Sequence, residues 1–373
     1  MSCAAIPKPI EAALLALPPG EAEEASEAVA GQLAQAALAV EAGKGEQVVD
    51  ELRAIVIDHP KVVAARSLLA TILVGDLEAR ALDQHRRTKS RPPEERINAI
   101  AEAELLVRAG LVYAPDDARL HALLARVYEV DGHLEAALAA YREAHRREPG
   151  ATRTLLSMTR LELELGEERA AVFHLEALRS RIATVPIDVL FWEVRCYMAL
   201  YDTLRREAVA GNATNDNKKT YLDRARRAYD ELASRSPDDA RASAGSAFCR
   251  FRQLLDGDRP RSDKAIREVL DLYREAARLA PTDALRRFDL GVVLESELID
   301  DPAAAALEYR SALARDPEHI PSALNLARLL WAQPPTDSAA RSEARKLWSM
   351  ALPRLEPRER RRVEALLEGQ PPA

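Results

Sequence analysis

The chain has 373 residues, of which 47% are hydrophobic and 30% charged; this allows two or three compact domains or one extended repeat array and excludes a disordered chain. Fourteen glycines, about 4% of the residues, leave little material for tight hairpins or phosphate-cradling loops and favour an all-helical fold. Fifty-three Lys and Arg against 60 Asp and Glu, a net charge of -7, give no overall pull towards nucleic acid or an anionic membrane.

At the N-terminus the apolar stretch 10–17 contains Glu11 and is too short for a membrane span or the core of an export signal. Cys3 follows only Met1 and Ser2, with no hydrophobic run before it, so no lipoprotein leader is expected, and residues 1–20 read as an N-terminal segment ahead of the repeats. Cys3, Cys196 and Cys249 are widely spaced, with no CxxC pair, which fits a reducing cytoplasm rather than a disulfide framework or a zinc knuckle. From about residue 21 the chain becomes a succession of amphipathic helices, the first around 21–40.

One frame then recurs in chain order. A slim residue is followed four positions later by a large one, three later by another apolar one, and eight after the large one by proline. It reads Val48, Leu52, Ile55, Pro60, then Ala103, Val107, Gly110, Pro115, then Ala137, Tyr141, Ala144, Pro149. It continues as Ala225, Tyr229, Leu232, Pro237, as Val269, Tyr273, Ala276, Pro281, and as Ala305, Tyr309, Ala312, Pro317. Ala344, Trp348 and Ala351 repeat it once more, with Pro357 one residue late. These offsets share one helix face, and proline ends each helix because it lacks a backbone donor and disfavours helical geometry in the residue before it.

A second amphipathic helix precedes each of these, and the clearest pair runs from Ala118 to Pro149. Leu124, Ala125, Tyr128, Gly132, Ala137, Tyr141, Ala144 and Pro149 resemble the tetratricopeptide repeat, a helix-turn-helix unit of 34 residues. Small residues at Ala125 and Ala137 let two helices approach closely, aromatic residues fill the groove between repeats, and Gly132 eases the turn. The resemblance implies an all-α, right-handed solenoid of about eight stacked helix pairs over residues 21–357, with 118–151 as the best repeat. The pairs end near Pro60, Pro115, Pro149, Pro186, Pro237, Pro281, Pro317 and Pro357, the one at Pro186 keeping Gly166 but not the tyrosine. Residues 358–373 read as a polar terminal helix and tail that cover the last apolar face. Four stretches of loop composition, 82–94, 208–220, 256–264 and 332–338, fall inside pairs and are expected along one edge of the stack.

No GxSxG, GxxxxGK followed by Ser or Thr, GxGxxG or HExxH occurs, and none of the seven histidines has a second histidine three or four residues on. His121, His133 and His145 recur every twelve residues but fall in different parts of the best repeat. No catalytic group, cofactor or metal is therefore expected. The family resemblance implies instead that positions two and nine of each first helix face a concave groove. Counting from Ala118 these are Arg119 and Arg126, then Arg153 and Arg160, then Asp188 and Arg195, with Arg328 in the last repeat. A ladder of Arg126, Arg160 and Arg195 would suit a carboxylate-rich or phosphorylated segment through paired, charge-assisted hydrogen bonds. The chain has 45 arginines and 8 lysines, so arginine is also its default surface cation. Asn325, Arg328 and Trp331, spaced by three, form a second candidate patch. The Lys and Asn set with which chaperone-binding members of the family clamp a C-terminal carboxylate is missing, Arg126 standing where one such Asn is expected. The basic run Arg354, Arg358, Arg360, Arg361 and Arg362 is interrupted by Glu356 and Glu359 and reads as a solvated cap.

The sequence thus predicts a non-catalytic, cytoplasmic adaptor that holds a protein or peptide partner, acidic in character, in a groove. Nucleic-acid binding and membrane insertion are not expected. The alternative is a structural subunit that builds a larger or homo-oligomeric assembly through its edges and end caps. The excess of arginine over lysine and the abundant alanine point to a GC-rich, bacterial gene.

Overall fold

The structure, a computed structural model, describes residue 6 and residues 8–17, 20–84, 94–210, 215–333 and 338–367. Cys3, His85, the inner parts of three inserted stretches (85–93, 211–214 and 334–337) and the tail 368–373 lie outside the described residues. Among the described residues there are eighteen α-helices and no strand, and the chain divides into two compact units, Met1–Thr184 and Val185–Ala373.

In the first unit α1 (Lys8–Leu15) precedes four helix pairs. These are α2 (Glu27–Glu41) with α3 (Val49–Asp58), α4 (Val63–Gln84) with α5 (Glu94–Tyr113), α6 (Ala118–Asp131) with α7 (Leu134–Arg147), and α8 (Thr152–Glu164) with α9 (Glu168–Arg179). The second unit holds α10 (Ile187–Val209) with α11 (Asn215–Arg235), α12 (Ala240–Leu255) with α13 (Asp263–Leu279), α14 (Ala284–Glu295) with α15 (Pro302–Arg315), and α16 (Ile320–Ala332) with α17 (Ser338–Ala351). A 3-10 turn, Leu352–Arg354, and α18 (Pro357–Leu367) follow. Within each unit consecutive helices from α2 onwards pack together, and α2 with α4, α4 with α6 and α12 with α14 also bring first helices side by side. The all-α repeat of eight helix pairs expected from the sequence is what the described residues form.

The recurring proline is one half of a start-and-stop device. α7, α11, α13 and α15 each end two residues before Pro149, Pro237, Pro281 and Pro317, because the residue before proline is pushed out of helical geometry: Glu148, Ala280 and Asp316 have φ of -130, -122 and -130°. Two residues after proline comes the other half. Asp117, Asp239 and Asp283 accept hydrogen bonds from the backbone N–H of Arg119, Arg241 and Leu285 at 2.8–2.9 Å and so cap the next first helix. Inside pairs, Gly132 (φ +85°) and Gly166 (φ +76°) close α6 and α8 in the left-handed region that a side chain disfavours.

The framed residues make the core. Ala125, Ala137, Tyr141 and Ala144 are buried, as are Leu52, Ile55, Ala103, Val107, Tyr273, Tyr309 and Trp348, each large side chain contributing about 1.5–3 kcal/mol of transfer free energy. In the second unit two of the tyrosines lie directly on glycines. A Cβ on Gly245 would stand 2.1 Å from the Tyr229 ring, and one on Gly291 would stand 2.6 Å from that of Tyr309.

Two expectations need adjusting. Residues 8–15, read as leader, form α1, whose Ile10 and Leu14 are buried and which packs on α3 and α5; the apolar stretch that is too short for a signal core supplies the buried face of a short helix. The insertions are also only partly loop, since residues 82–84, 208–209 and 215–220 are helical and lengthen α4, α10 and α11. The stretch 256–264 turns at Gly257 (φ +77°), and Arg259 N–H donates to the Gln253 carbonyl at 3.1 Å.

Candidate functional site

In the first unit α4, α6 and α8 line a cavity of about 370 Å³ that contains Arg119, Arg126 and Arg153, three of the residues selected by position in the repeat. Ser67, Thr71, Thr154 and Ser157 add hydroxyls, and Glu148 is the carboxylate among the lining residues. Arg119 and Arg153 are exposed and Arg126 is half-buried. Tyr141 forms part of the floor; burial and the nearby Glu129 push its phenol up to about 12, so it stays a neutral donor. Its hydroxyl points to Glu129 Oε2 at 3.4 Å.

Arg160, the middle rung of the expected ladder, is committed elsewhere. Its guanidinium pairs with Glu129 of α6 at 2.5 Å and lies 3.7 Å from Glu164 of its own helix. Seven-residue spacing placed Arg153 and Arg160 on one face, but the carboxylate that holds Arg160 comes from a neighbouring helix and was not legible in that spacing.

The second unit has a cavity of about 400 Å³ between α10, α12 and α14, with a different lining. Phe191, Phe248 and Leu285 present apolar surface, Phe248 and Leu285 being 38% and 43% exposed, over a floor that includes Tyr229 and Tyr273. Burial pushes the Tyr229 phenol up to about 12 and raises that of Tyr273 as well. Arg195 lies here, its guanidinium 4.4 Å over the Trp192 ring. Arg241 lies 4.5 Å over Phe191 while bound in a fork by Asp239, at 3.0 and 2.8 Å. Arg286 bridges Asp283 (3.2 Å) and Asp289 (2.8 Å). Burial outweighs that pairing at Asp289, whose carboxyl is pushed up to about 6.

Arg241, Phe248 and Leu285 were missed in the sequence, although counting two and nine from Ala240 and two from Ala284 reaches them. Asp188, at the start of α10, is exposed and accepts a hydrogen bond from its neighbour's N–H.

The patch of Asn325, Arg328 and Trp331 is split. Arg328 pairs with Glu295 of α14, and Asn325 donates to the Tyr309 hydroxyl at 3.1 Å, which in turn donates to Glu295 at 2.8 Å. These two side chains brace the tyrosine of the repeat. Trp331 turns the other way and packs on Trp348 of α17, ring centres 5.0 Å apart.

A third cavity, of about 360 Å³, lies beside the 256–264 stretch. Its charges are neutralised internally: Arg250 pairs with Asp230 and Glu268, Arg259 with Glu268, and Lys219 with Asp258. In the first unit Glu162 is fully buried and accepts from Arg142 at 3.3 Å and from His174 Nδ1 at 3.1 Å. His145 lies edge-on to His174 at 5.8 Å; burial and then the nearby His174 and Arg181 charges lower its pKa. The buried Cys249 thiol is pushed up to about 12 by desolvation. Among the described residues no three His, Cys, Asp or Glu side chains are grouped as metal ligands, and no helix is long and apolar enough to cross a membrane.

No protein-family model matches the sequence, and no curated protein matches it significantly. Solved structures do match. The C-terminal part of a tetratricopeptide-repeat protein from Cytophaga hutchinsonii is 11% identical, covers 79% of this chain and 99% of its own length, and superposes with a TM-score of 0.53. A tetratricopeptide-repeat protein from Parabacteroides merdae is 14% identical over 79% of this chain and 98% of its own, with a TM-score of 0.49. YrrB, described as a tetratricopeptide-repeat protein with an unusual peptide-binding site, is 15% identical over 58% of this chain and 95% of its own, at 0.40. The stacked helix pairs and the likeness to the Cytophaga protein make the fold that of a tetratricopeptide-repeat protein.

Proposed function

We propose that the chain is a non-catalytic scaffold that holds segments of a partner protein in the cavities lined by its first helices. The observation that carries this reading is the convergence of Arg119, Arg126 and Arg153, from two successive first helices, on one cavity that contains a single lining carboxylate. Such a site favours an acidic segment in the first unit, because guanidinium groups bind carboxylates through paired N–H donors. In the second unit the exposed Phe248 and Leu285 suit an apolar side chain of the segment, with Arg195 at hand for a flanking carboxylate. A preformed groove on packed helices lowers the ordering cost of binding.

The test begins with affinity capture of the tagged chain from its native lysate and identification of the retained proteins. The same proteins are then offered to an Arg119→Ala, Arg126→Ala, Arg153→Ala variant. Retention is expected to fall while helicity and melting temperature hold, since none of the three is a core residue. Full retention by the folded variant would remove the first-unit groove from the account.

A further inference from the structure

At the C-terminal end of the second unit Trp331 and one face of α17 line an open depression of about 830 Å³. Arg341, Arg345 and Lys346 line it together with Ser338, Ser342 and Ser349. These positions recur at three- and four-residue intervals and form one stripe along the helix, while the opposite stripe of Ala340, Ala344, Trp348 and Ala351 is buried. The Trp331 ring is held from behind by Trp348, and Arg341 and Arg345 stand 4.0 and 6.0 Å from its centroid.

The charge is one-sided. Among the described residues no carboxylate lines the depression, whereas two other cavities of this unit set Arg250 against Asp230 and Glu268, and Arg286 against Asp283 and Asp289. Among the described residues Arg345 and Lys346 have no carboxylate partner. Glu343, the acid of α17, is taken by Arg310 of α15 at 2.8 Å. Three cations therefore gather beside an anchored aromatic ring in a chain whose net charge is -7.

The location indicates what would complete it. α3, α5, α7, α11, α13 and α15 each pack against the first helix of the next pair. Among the described residues α17 is followed by the 3-10 turn and the 11-residue α18, which buries Val363 and leaves Arg345 and Lys346 exposed. We propose that this face docks an acidic amphipathic helix of a partner protein, laid along α17 where a further repeat would begin. Its apolar stripe would cover Trp331. Carboxylates one turn apart would meet cations with the same roughly 6 Å spacing along α17. The three serines supply hydroxyl donors at the rim.

The experiment titrates the full chain into a fluorescein-labelled synthetic helix carrying Glu at i and i+4 on one face and Leu at i and i+3 on the adjoining one. Peptide anisotropy and tryptophan emission are recorded. Saturable binding is expected, weakening with added NaCl and weakening about tenfold in Arg345→Glu/Lys346→Glu, with a smaller loss in Arg345→Gln/Lys346→Gln. Trp331→Phe is expected to abolish the emission change while leaving helicity intact. Lys264→Glu/Arg267→Glu, an equal charge reversal at exposed positions of α13, is expected to leave binding unchanged. Absence of binding by the wild type overturns the proposal. So does equal weakening by the α13 reversal, and so does preference for duplex DNA or phosphatidylserine vesicles over the peptide through the same residues.

Discussion

The grooves of the two units are built from the same repeat and differ in chemistry. Between α4, α6 and α8 the lining is arginine and hydroxyl; between α10, α12 and α14 it is aromatic and aliphatic, with its arginines held over rings or by aspartates. The residues that pack helix on helix are alike in both units, whereas the residues one helix face away are free to vary. A repeat fixes the scaffold and leaves recognition to positions that the core does not constrain.

The units also differ in how tightly their tyrosines are seated, and this gives the largest expected effect. Gly245→Ala forces a Cβ into the Tyr229 ring and is expected to cost about 1–3 kcal/mol. Gly110→Ala meets the ends of two aliphatic side chains, Leu120 at 3.3 Å and Val63 at 3.7 Å, and lies inside α5; it is expected to be neutral or to stabilise by up to about 1 kcal/mol through helix propensity. Chemical denaturation of both variants checks the contrast, and equal losses would show that the first unit is packed as tightly.

An intermediate effect separates bracing from binding within the first unit. Arg160→Ala is expected to lower stability by about 0.5–1 kcal/mol, because it releases a partly exposed pair with Glu129, and to leave partner retention close to that of the wild type. Retention that falls as far as in the Arg119, Arg126, Arg153 variant would return Arg160 to the groove.

The last effect is one of pH, with opposite signs in the two units. His145 has a folded pKa below its ordinary 6.5; the folded state binds fewer protons there, so the stability it contributes is present above that value and is lost on acidification. Asp289 is raised from 3.8 to about 6, so its contribution is present below the ordinary carboxylate value and is lost as pH rises through about 6. Between pH 7 and 5, acidification is expected to weaken the first unit through His145 and to strengthen the second through Asp289. Hydrogen exchange at both pH values, compared with His145→Gln and Asp289→Asn, reads each unit separately. A shift of the same sign in both would break the distinction.

Much of the fold was legible because helix packing writes a period into the chain. Tyr141, Tyr229, Tyr273 and Tyr309, with their small partners and the proline eight residues on, gave the helix pairs, and the structure adds the Asp117, Asp239 and Asp283 caps that the same stretches carried unread. The candidate grooves were legible only in part. Repeat position brought Arg119, Arg126 and Arg153 to one cavity and would have reached Arg241, Phe248 and Leu285 by the same count. It could not show that Glu129 holds Arg160, or that Asn325 and Arg328 brace Tyr309 and Glu295 while Trp331 faces α17.

By itself the sequence determined where helices start, stop and bury a face, since these follow from local backbone chemistry and from contacts between residues three and four apart. Tertiary structure decided which arginines are paired, which tyrosines press on glycine and which tryptophan stays open. Those outcomes depend on side chains from helices 16 to 33 residues apart in the chain, such as Tyr229 with Gly245, Arg160 with Glu129 and Arg328 with Glu295, whose approach is set by packing.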